Sequence, residues 1–155
     1  MYDVRSRLDE LARELRGSGY RLTPQRLAVL EALIEDEEHP SAETVYGRIS
    51  EKLPTTSLAT VYNTLDALRE IGQVLEVRPG QGPVRYDVRQ PHSHPHLLCT
   101  RCGRVEDAPA SATAQPLQPA PVVAAAGWQE LDVRLDFQGV CPTCRQQEAE
   151  ASHGS

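Results

Sequence analysis

The residues with the clearest capacity for chemistry are four cysteines, which form two C-x-x-C pairs. Cys99 pairs with Cys102 and Cys141 with Cys144, and 38 residues separate the two pairs. Two residues between thiolates allow both sulfurs of a pair to reach one tetrahedral ion at about 2.3 Å. Because four thiolates leave no position for water, the pattern predicts a structural Zn²⁺ rather than a catalytic one. The alternative, two redox-active dithiols, needs a thioredoxin-like βαβ context that this sequence lacks.

A second set of possible metal ligands lies around the segment 91–96, which holds three of the five histidines. In an extended segment His94 and His96 share a face, so both rings can reach one ion. Asp87 precedes this segment and Asp107 follows it. Nitrogen and oxygen ligands of this kind suit Fe(II), Mn(II) or Zn(II). The alternative is a group of solvated histidines in a surface loop.

Composition limits the classes of protein to which the chain can belong. Its 155 residues allow one large domain or two small ones, and 39% hydrophobic with 25% charged residues suits a soluble globular protein. No apolar stretch approaches the roughly 18–20 residues of a membrane span, and residues 1–5 do not resemble a signal peptide. We therefore expect a cytoplasmic protein with no membrane partner. The net charge of -6 argues against non-specific coating of nucleic acid, although it leaves room for a local basic surface.

The elements that must position these ligands begin with helices over residues 4–72. Gly17 and the residues after it end the first helix, and Thr23 is a predicted N-cap with proline at the next position. Ser41 and Ser57 are the predicted N-caps of two further helices.

The hydrophobic period then changes from helical spacing to two. Residues 74–77 and 84–88 alternate, and the turn residues 79–83 lie between them, which predicts a β-hairpin. Helices followed by a hairpin are the outline of a winged helix. The alternative is a small helical domain with a trailing hairpin.

The rest of the chain is proline-rich and typical of a smaller unit. Eight of the twelve prolines lie within residues 79–121, so we expect any helix nearby to be short. Apolar and polar residues alternate over 131–137, which predicts a half-buried strand. We predict a winged-helix domain over 1–88, a metal-binding domain over 89–145 and a disordered tail over 146–155.

Six motifs then relate the whole chain to a known family. They are RLTPQR (21–26), HPSA (39–42), ATVYNTL (59–65), RYD (85–87), HPHLLCTRCG (94–103) and CPTC (141–144). In order and spacing, over residues 4 to about 145, the chain resembles the Fur family of metal-responsive repressors. The resemblance implies an α+β protein: an N-terminal winged helix-turn-helix domain and a small C-terminal α/β dimerisation domain, working as a homodimer.

The resemblance also assigns the metal ligands. The four cysteines would hold one structural Zn²⁺ per subunit. A regulatory Fe²⁺ or Mn²⁺, one per subunit, would be held by His39, Asp87, His94, His96 and Asp107. One ion joining both domains would fix their relative angle, so that the metal-bound dimer spaces its recognition helices for a palindromic operator in double-stranded DNA.

Four residues are predicted to contact DNA by the same resemblance. The recognition helix would start at Ser57, and Tyr62 could offer its ring to a thymine methyl in the major groove. Thr60 and Asn63 would lie near phosphates or base edges. Arg21 matches a family position that reaches into the narrow minor groove of A/T-rich DNA. The alternative for Tyr62 is that it packs beneath the helix.

The ligand types indicate a branch of the family. Three histidines and two aspartates match its peroxide-sensing (PerR) branch, whereas the iron-uptake branch usually has glutamates and the zinc-sensing branch a cysteine. In peroxide sensors, oxidation of a ligand histidine releases DNA, and His39 and His94 are the candidates here. Val133 stands where many members have a histidine of an accessory site, which we expect to be absent or impaired. His92 departs from the family pattern and could compete as a ligand.

The predicted function is therefore a peroxide-sensing repressor that is not an enzyme and has no small-molecule substrate. An Mn(II)- or Fe(II)-responsive uptake regulator of the same family is the alternative. Two alternative functions of other classes are a small non-haem iron enzyme and a zinc-stabilised protein-interaction module without a sensor site. The enzyme would need a substrate pocket, a nucleophile motif or a glycine-rich phosphate loop, which the sequence does not show, and it would leave the winged-helix outline without a function.

Overall fold

The computed structural model describes residues 3–90, 92, 94–112, 121–129, 131 and 133–153. The chain divides into two compact units. The N-terminal unit comprises Met1–Arg78 and Pro83–Pro91, and the C-terminal unit comprises Pro79–Gly82 and His92–Ser155. No helix in the described part of the chain combines the length and apolar character needed to cross a bilayer.

Four helices make up most of the N-terminal unit: α1 (Val4–Gly17), α2 (Pro24–Glu35), α3 (Ala42–Ser50) and α4 (Leu58–Glu70). The three predicted N-caps are confirmed. The side chains of Thr23, Ser41 and Ser57 each accept a hydrogen bond from the backbone N–H three residues later, at 3.1–3.2 Å. Each bond satisfies a donor that the first helical turn leaves without a partner.

The predicted hairpin is also confirmed, with shorter strands. Strand β1 (Leu75–Val77) pairs antiparallel with β2 (Arg85–Asp87), and Leu75 lies opposite Asp87. Gly82 has a φ of +86°, which side chains rarely adopt, so the return of the loop depends on glycine there.

Apolar side chains from every helix fill the core of the N-terminal unit. Val88, directly after β2, closes it and is fully buried. The largest contributors are Leu11, Leu15, Val29, Leu30, Leu33, Ile34, Val45, Val61 and Leu68.

The C-terminal unit is built on a three-stranded sheet of order β4-β3-β5. Its elements are β3 (His96–Cys99), β4 (Val105–Asp107), a short 3₁₀ helix (Ala110–Ala112), α5 (Pro121–Ala125), β5 (Asp136–Gly139) and α6 (Pro142–His153). Strand β3 pairs antiparallel with β4 and parallel with β5. Among the described residues, the apolar core of this unit is small: Leu98, Cys99 and Val105, together with Pro79 of the hairpin loop.

Two expectations for the C-terminal unit need correction. A strand is expected over 131–137, whereas β5 runs over Asp136–Gly139 and its side chains are exposed. Residue 132 of the expected strand lies outside the described residues. The partner strand β3 begins at His96, after a proline that cannot donate a hydrogen bond to a ladder, so the pairing starts at Asp136. Residues 146–153, expected to be a disordered tail, continue α6, because glutamine, glutamate and alanine favour helix. Residues 154 and 155 of that tail lie outside the described residues.

Candidate metal centres

The four cysteines lie together within the C-terminal unit. Their sulfur atoms are all within 4.8 Å of one another, and the Cys99–Cys144 and Cys102–Cys141 distances are both 3.9 Å. Cys99 ends β3 and Cys102 lies in the turn after it. Cys141 directly precedes α6, and Cys144 lies in the first turn of that helix. Gly103, with a φ of +72°, turns the chain directly after the first pair.

The electrostatics of the cluster suit a cation. Backbone N–H groups of Cys102 and Cys141 lower the pKa of the Cys99 thiol to about 6. Conversely, the hydrogen bond with the neighbouring Cys141 thiol raises the pKa of Cys144 to about 12. Four sulfurs this close cannot all ionise without a compensating charge, and a tetrahedral Zn²⁺ supplies that charge and accepts four thiolates. The donor set therefore fits structural zinc.

A buried histidine and a buried aspartate lie together in the N-terminal unit. His39, in the loop between α2 and α3, and Asp87, at the end of β2, are each 1% exposed. The His39 Nδ1 and Asp87 Oδ1 atoms are 3.8 Å apart. Asp87 Oδ1 also accepts backbone N–H bonds from Arg89 at 2.8 Å and Gln90 at 3.3 Å, which orient the carboxylate.

The backbone around His39 is unusual. His39 has a φ of +52°, in the left-handed region that side chains other than asparagine, aspartate and histidine seldom occupy. The carbonyl of the next residue, Pro40, accepts a hydrogen bond from the Tyr86 N–H at 3.1 Å. This bond ties the loop to the strand that carries Asp87, so the surrounding fold holds the strained backbone in place.

Three further predicted ligands meet in the C-terminal unit. His94 Nε2 lies 2.9 Å from Asp107 Oδ1, and His96 Nε2 lies 3.8 Å from the same oxygen. The two rings are 4.4 Å apart between centroids. His96 and Asp107 are opposite one another on β3 and β4, so the sheet register sets their separation. His92 is exposed, and its backbone carbonyl lies 2.8 Å from His94 Nδ1.

Sequence reasoning missed a second carboxylate beside His96. Asp136, the first residue of β5, has Oδ1 3.4 Å from His96 Nδ1. Asp136 belongs to the polar series of the alternating segment, which sequence reasoning assigned to solvent. The parallel pairing of β5 with β3, which brings this polar face beside the histidine, carries no local sequence signal.

The residues predicted to contact DNA lie on the N-terminal unit. Tyr62 on α4 is 40% exposed, and its hydroxyl donates a 2.8 Å hydrogen bond to Glu43 on α3. The alternative that Tyr62 packs beneath the helix is therefore not what the structure shows. Thr60 is engaged in the α4 cap, where its hydroxyl lies 3.1 Å from that of Ser57. Asn63 is exposed on the same helix.

Arg21 lies in the segment between α1 and α2. Its backbone carbonyl accepts a hydrogen bond of 2.6 Å from the guanidinium of Arg26. That guanidinium also lies over the Tyr20 ring, 5.6 Å from its centroid. These contacts fix the backbone at Arg21, whose side chain is exposed.

The sequence was compared with models of known protein families, and one of them matches. The model of the "Ferric uptake regulator family" matches residues 17–137, which is more than half of the chain. The chain belongs to the ferric uptake regulator (Fur) family. This confirms the resemblance seen in the sequence and the α+β class with an N-terminal winged helix-turn-helix domain.

Known members of the Fur family match nearly the whole chain. The "Ferric uptake regulation protein" of Bacillus subtilis is 39% identical over 153 residues, covering 95% of this chain and 100% of the relative. The "Peroxide-responsive repressor PerR" of Staphylococcus epidermidis is 35% identical over 143 residues, covering 90% of this chain and 91% of the relative. A solved "zinc-bound manganese uptake regulator" superposes with a TM-score of 0.62 at 29% identity, covering 86% of this chain and 98% of its own.

These comparisons agree with the metals expected from the ligand types. Zinc and manganese occur in the names of solved Fur-family relatives, and this chain has both a four-cysteine cluster and histidine–aspartate groups. The family members that match include both an uptake regulator and a peroxide-responsive repressor, so these matches do not distinguish the two branches.

Proposed function

We propose that this Fur-family protein is a metal-dependent, DNA-binding transcriptional repressor of the peroxide-sensing type, working as a homodimer in the cytoplasm. The observation that carries the proposal is the cysteine-free donor set of three histidines and two aspartates. His39 and Asp87 meet in the N-terminal unit, and His94, His96 and Asp107 meet in the C-terminal unit. All four cysteines form a separate cluster, in which they would bind the structural zinc.

The regulatory ion would be held by all five of these side chains. An ion that needs ligands from both units favours the arrangement in which both groups face it, and this differential affinity shifts the population of conformations. The apparent affinity for the operator would therefore depend on Fe(II) or Mn(II). Cys99, Cys102, Cys141 and Cys144 would hold zinc permanently and take no part in the response.

The peroxide response would depend on ligand histidines. Fe(II) held by these residues would supply the redox chemistry by which peroxide, the two-electron oxidant, adds one of its oxygen atoms to an imidazole carbon while the other leaves as water. Mn(II) held by the same residues would not support this reaction. His39 and His94 are the rings that we expect to take up oxygen. A modified ring is a poorer ligand, so the link between the units weakens and the operator is released.

Operator recognition would use α4 and the segment before α2. Tyr62 is exposed on α4 and its hydroxyl is held by Glu43, so its ring is oriented before DNA binds. Thr60 and Asn63 would approach phosphates or base edges of the major groove, and Arg21 would enter a narrow A/T-rich minor groove. The expected partner is a palindromic duplex, because the two halves of a symmetric dimer read two half-sites.

A manganese- or iron-responsive uptake regulator is the second candidate. The 39% identity to the Bacillus subtilis ferric uptake regulation protein favours it. Both candidates predict metal-dependent binding to DNA, and they differ in what peroxide does. A non-haem iron enzyme would show turnover instead, which the Fur-family match argues against.

The deciding experiment is anaerobic binding to a labelled palindromic A/T-rich duplex, followed by fluorescence anisotropy. Zinc-loaded protein is supplied with Mn(II) or Fe(II), and binding is measured before and after stoichiometric peroxide. We expect both metal forms to bind and only the Fe(II) form to release DNA, with the mass of one oxygen atom added to the peptide that contains His39 or His94. An Fe(II) form that keeps DNA after peroxide would identify an uptake regulator.

Two histidine variants of the same segment provide the control. His94→Ala removes a proposed ligand and should abolish metal-dependent binding. His92→Ala removes an exposed ring outside the proposed ligand set and should leave binding unchanged. Unaltered binding by His94→Ala would contradict the repressor mechanism, and loss of binding in His92→Ala would make His92 a ligand.

A further inference from the structure

We propose that Asp136 is a positioning residue for the regulatory metal site: it holds the His96 ring in the tautomer and orientation that leave Nε2 available to the ion. This inference rests on the proposed function. It adds a sixth side chain that acts through a ligand without contacting the metal itself.

The sheet of the C-terminal unit places a carboxylate on each side of His96. In the register of the three strands, His96 on β3 is the partner of Asp107 on β4 and of Asp136 on β5. Asp107 Oδ1 lies 3.8 Å from His96 Nε2, and Asp136 Oδ1 lies 3.4 Å from His96 Nδ1. The two nitrogens of one ring therefore face two different carboxylates.

In this arrangement the two nitrogens of the His96 imidazole have different roles. A neutral imidazole carries a proton on one nitrogen and a lone pair on the other, and only the lone pair can bind a metal. A carboxylate beside Nδ1 favours the proton at that position. The lone pair is then on Nε2, which faces the proposed ligand Asp107. Such outer carboxylates fix the ring and increase the basicity of the ligating nitrogen.

His94 provides an internal comparison. Its Nδ1 lies 2.8 Å from the backbone carbonyl of His92, and its Nε2 lies 2.9 Å from Asp107 Oδ1. Both histidines thus face Asp107 with Nε2 and have an oxygen acceptor at Nδ1. The acceptor is a neutral carbonyl for His94 and a charged side chain for His96, so only the second can be removed by mutation.

Burial makes the orientation of His96 important. The side chain of His96 is 6% exposed, whereas that of Asp136 is 36% exposed. Water cannot easily replace a lost partner of the buried ring, but the carboxylate itself can be changed with little effect on packing. Loss of such an outer partner typically lowers metal affinity by about 10–100-fold.

The test measures Mn(II) affinity of the full-length, zinc-loaded protein by titration with electron paramagnetic resonance detection of free Mn(II). We expect Asp136→Ala to weaken Mn(II) binding by about 10–100-fold. Asp136→Asn keeps an oxygen acceptor without the charge, so its Mn(II) affinity should lie between those of Asp136→Ala and the wild type. Glu150→Gln on α6 removes an exposed negative charge from the same unit and should bind Mn(II) as the wild type does. Zinc content and far-ultraviolet circular dichroism should not change in any variant.

A second readout is independent of the metal. Nitrogen-15 chemical shifts of the His96 ring report which nitrogen carries the proton, and we expect the Nδ1-protonated form to lose population in Asp136→Ala. Wild-type affinity together with an unchanged tautomer in Asp136→Ala would overturn the inference. If the wild type binds no Mn(II), the proposed function fails instead, so the two failures are distinguishable. If Asp136→Ala loses its zinc or its secondary structure, the Mn(II) affinity and the His96 tautomer population of Asp136→Asn test the inference instead. Wild-type values of both in Asp136→Asn would then overturn it.

Discussion

The two units of this protein are stabilised by different means. The N-terminal unit buries large aliphatic side chains from all four helices, and each of its three predicted caps is formed. In the described part of the C-terminal unit, the buried apolar residues are far fewer, and four cysteine sulfurs lie within 4.8 Å of one another. Small units seldom stabilise themselves by burial alone, and a structural metal is one of the usual supplements. The comparison implies that one unit folds on its apolar core and the other on its zinc.

Zinc removal is the most severe way to test this contrast. Binding of structural zinc contributes about 10–16 kcal/mol in zinc-finger peptides at pH 7, so we expect the C-terminal unit to unfold without it. Amide hydrogen exchange after chelation should show loss of protection in β3, β4 and β5 with protection retained in α1–α4. Cys102→Ser should behave in the same way, and His94→Ala, which keeps all four cysteines, should not. Retained protection of the sheet in zinc-free protein would contradict the contrast.

A cavity in the N-terminal core should produce the opposite pattern. Leu30 is fully buried on α2, so Leu30→Ala should lower the free energy of unfolding of that unit by about 2–5 kcal/mol. Urea denaturation followed by helical circular dichroism measures the loss. Leu97→Ala on β3, where the side chain is 39% exposed, is the control and should cost about 1 kcal/mol or less. A loss of zinc in Leu30→Ala would show that the two units are not stabilised separately.

A buried arginine adds a polar contribution to the same unit. Arg7 on α1 donates to the Val88 carbonyl at 2.8 Å, to Glu10 at 2.7 Å and to Gln73 at 3.0 Å. Arg7→Ala leaves the buried Val88 carbonyl without this donor and removes two part-buried bonds, so it should lower the free energy of unfolding by about 2–3 kcal/mol.

The matched control for this substitution is Arg13→Ala, an exposed position on the same helix, which should change stability by about 0.5 kcal/mol or less. Thermal unfolding of both variants gives the comparison. Equal effects would mean that the Arg7 contacts contribute nothing beyond the propensity of the helix.

The smallest expected effect concerns a helix cap. Ser57→Ala removes the acceptor at the start of α4 and should lower stability by about 1 kcal/mol, whereas Ser57→Gly should cost a few tenths. Ser6→Ala, at an exposed position in the first turn of α1, is the control and should change stability little. Three of the four proposed DNA contacts, Thr60, Tyr62 and Asn63, lie on α4. Operator affinity should therefore fall when the cap is lost, and an effect on stability alone would contradict the proposed role of these three residues.

The features that the sequence predicts well are those encoded by neighbouring residues. The cap of α4 needs Ser57 and the turn that follows it, and each C-x-x-C pair is a local pattern, so both are predictable from short stretches of sequence. The helical character of residues 146–153 is missed when polarity is weighed above the helix propensity of glutamine, glutamate and alanine. A polar face of a helix has the same composition as a solvated tail.

Non-local features could not be predicted in this way. Asp136 reaches His96 only because two strands distant in the chain pair in parallel, and the register of such a pair is set by the whole sheet. The meeting of His39 with Asp87 likewise depends on the bond between Pro40 and Tyr86, which joins a loop to a strand. Family resemblance predicted His39 as a ligand, whereas residue spacing could not bring this residue to the other candidate ligands.

The left-handed backbone at His39 also restricts how the metal preference of the proposed regulatory site can evolve or be redesigned. A φ of +52° is tolerated by glycine, and among possible ligands mainly by asparagine, aspartate and histidine. Replacing His39 with glutamate or cysteine would change the donor atom and add backbone strain at the same time. Aspartate and asparagine are therefore the exchanges that keep the local conformation, so a harder, oxygen-rich site is more accessible from this sequence than a thiolate-rich one.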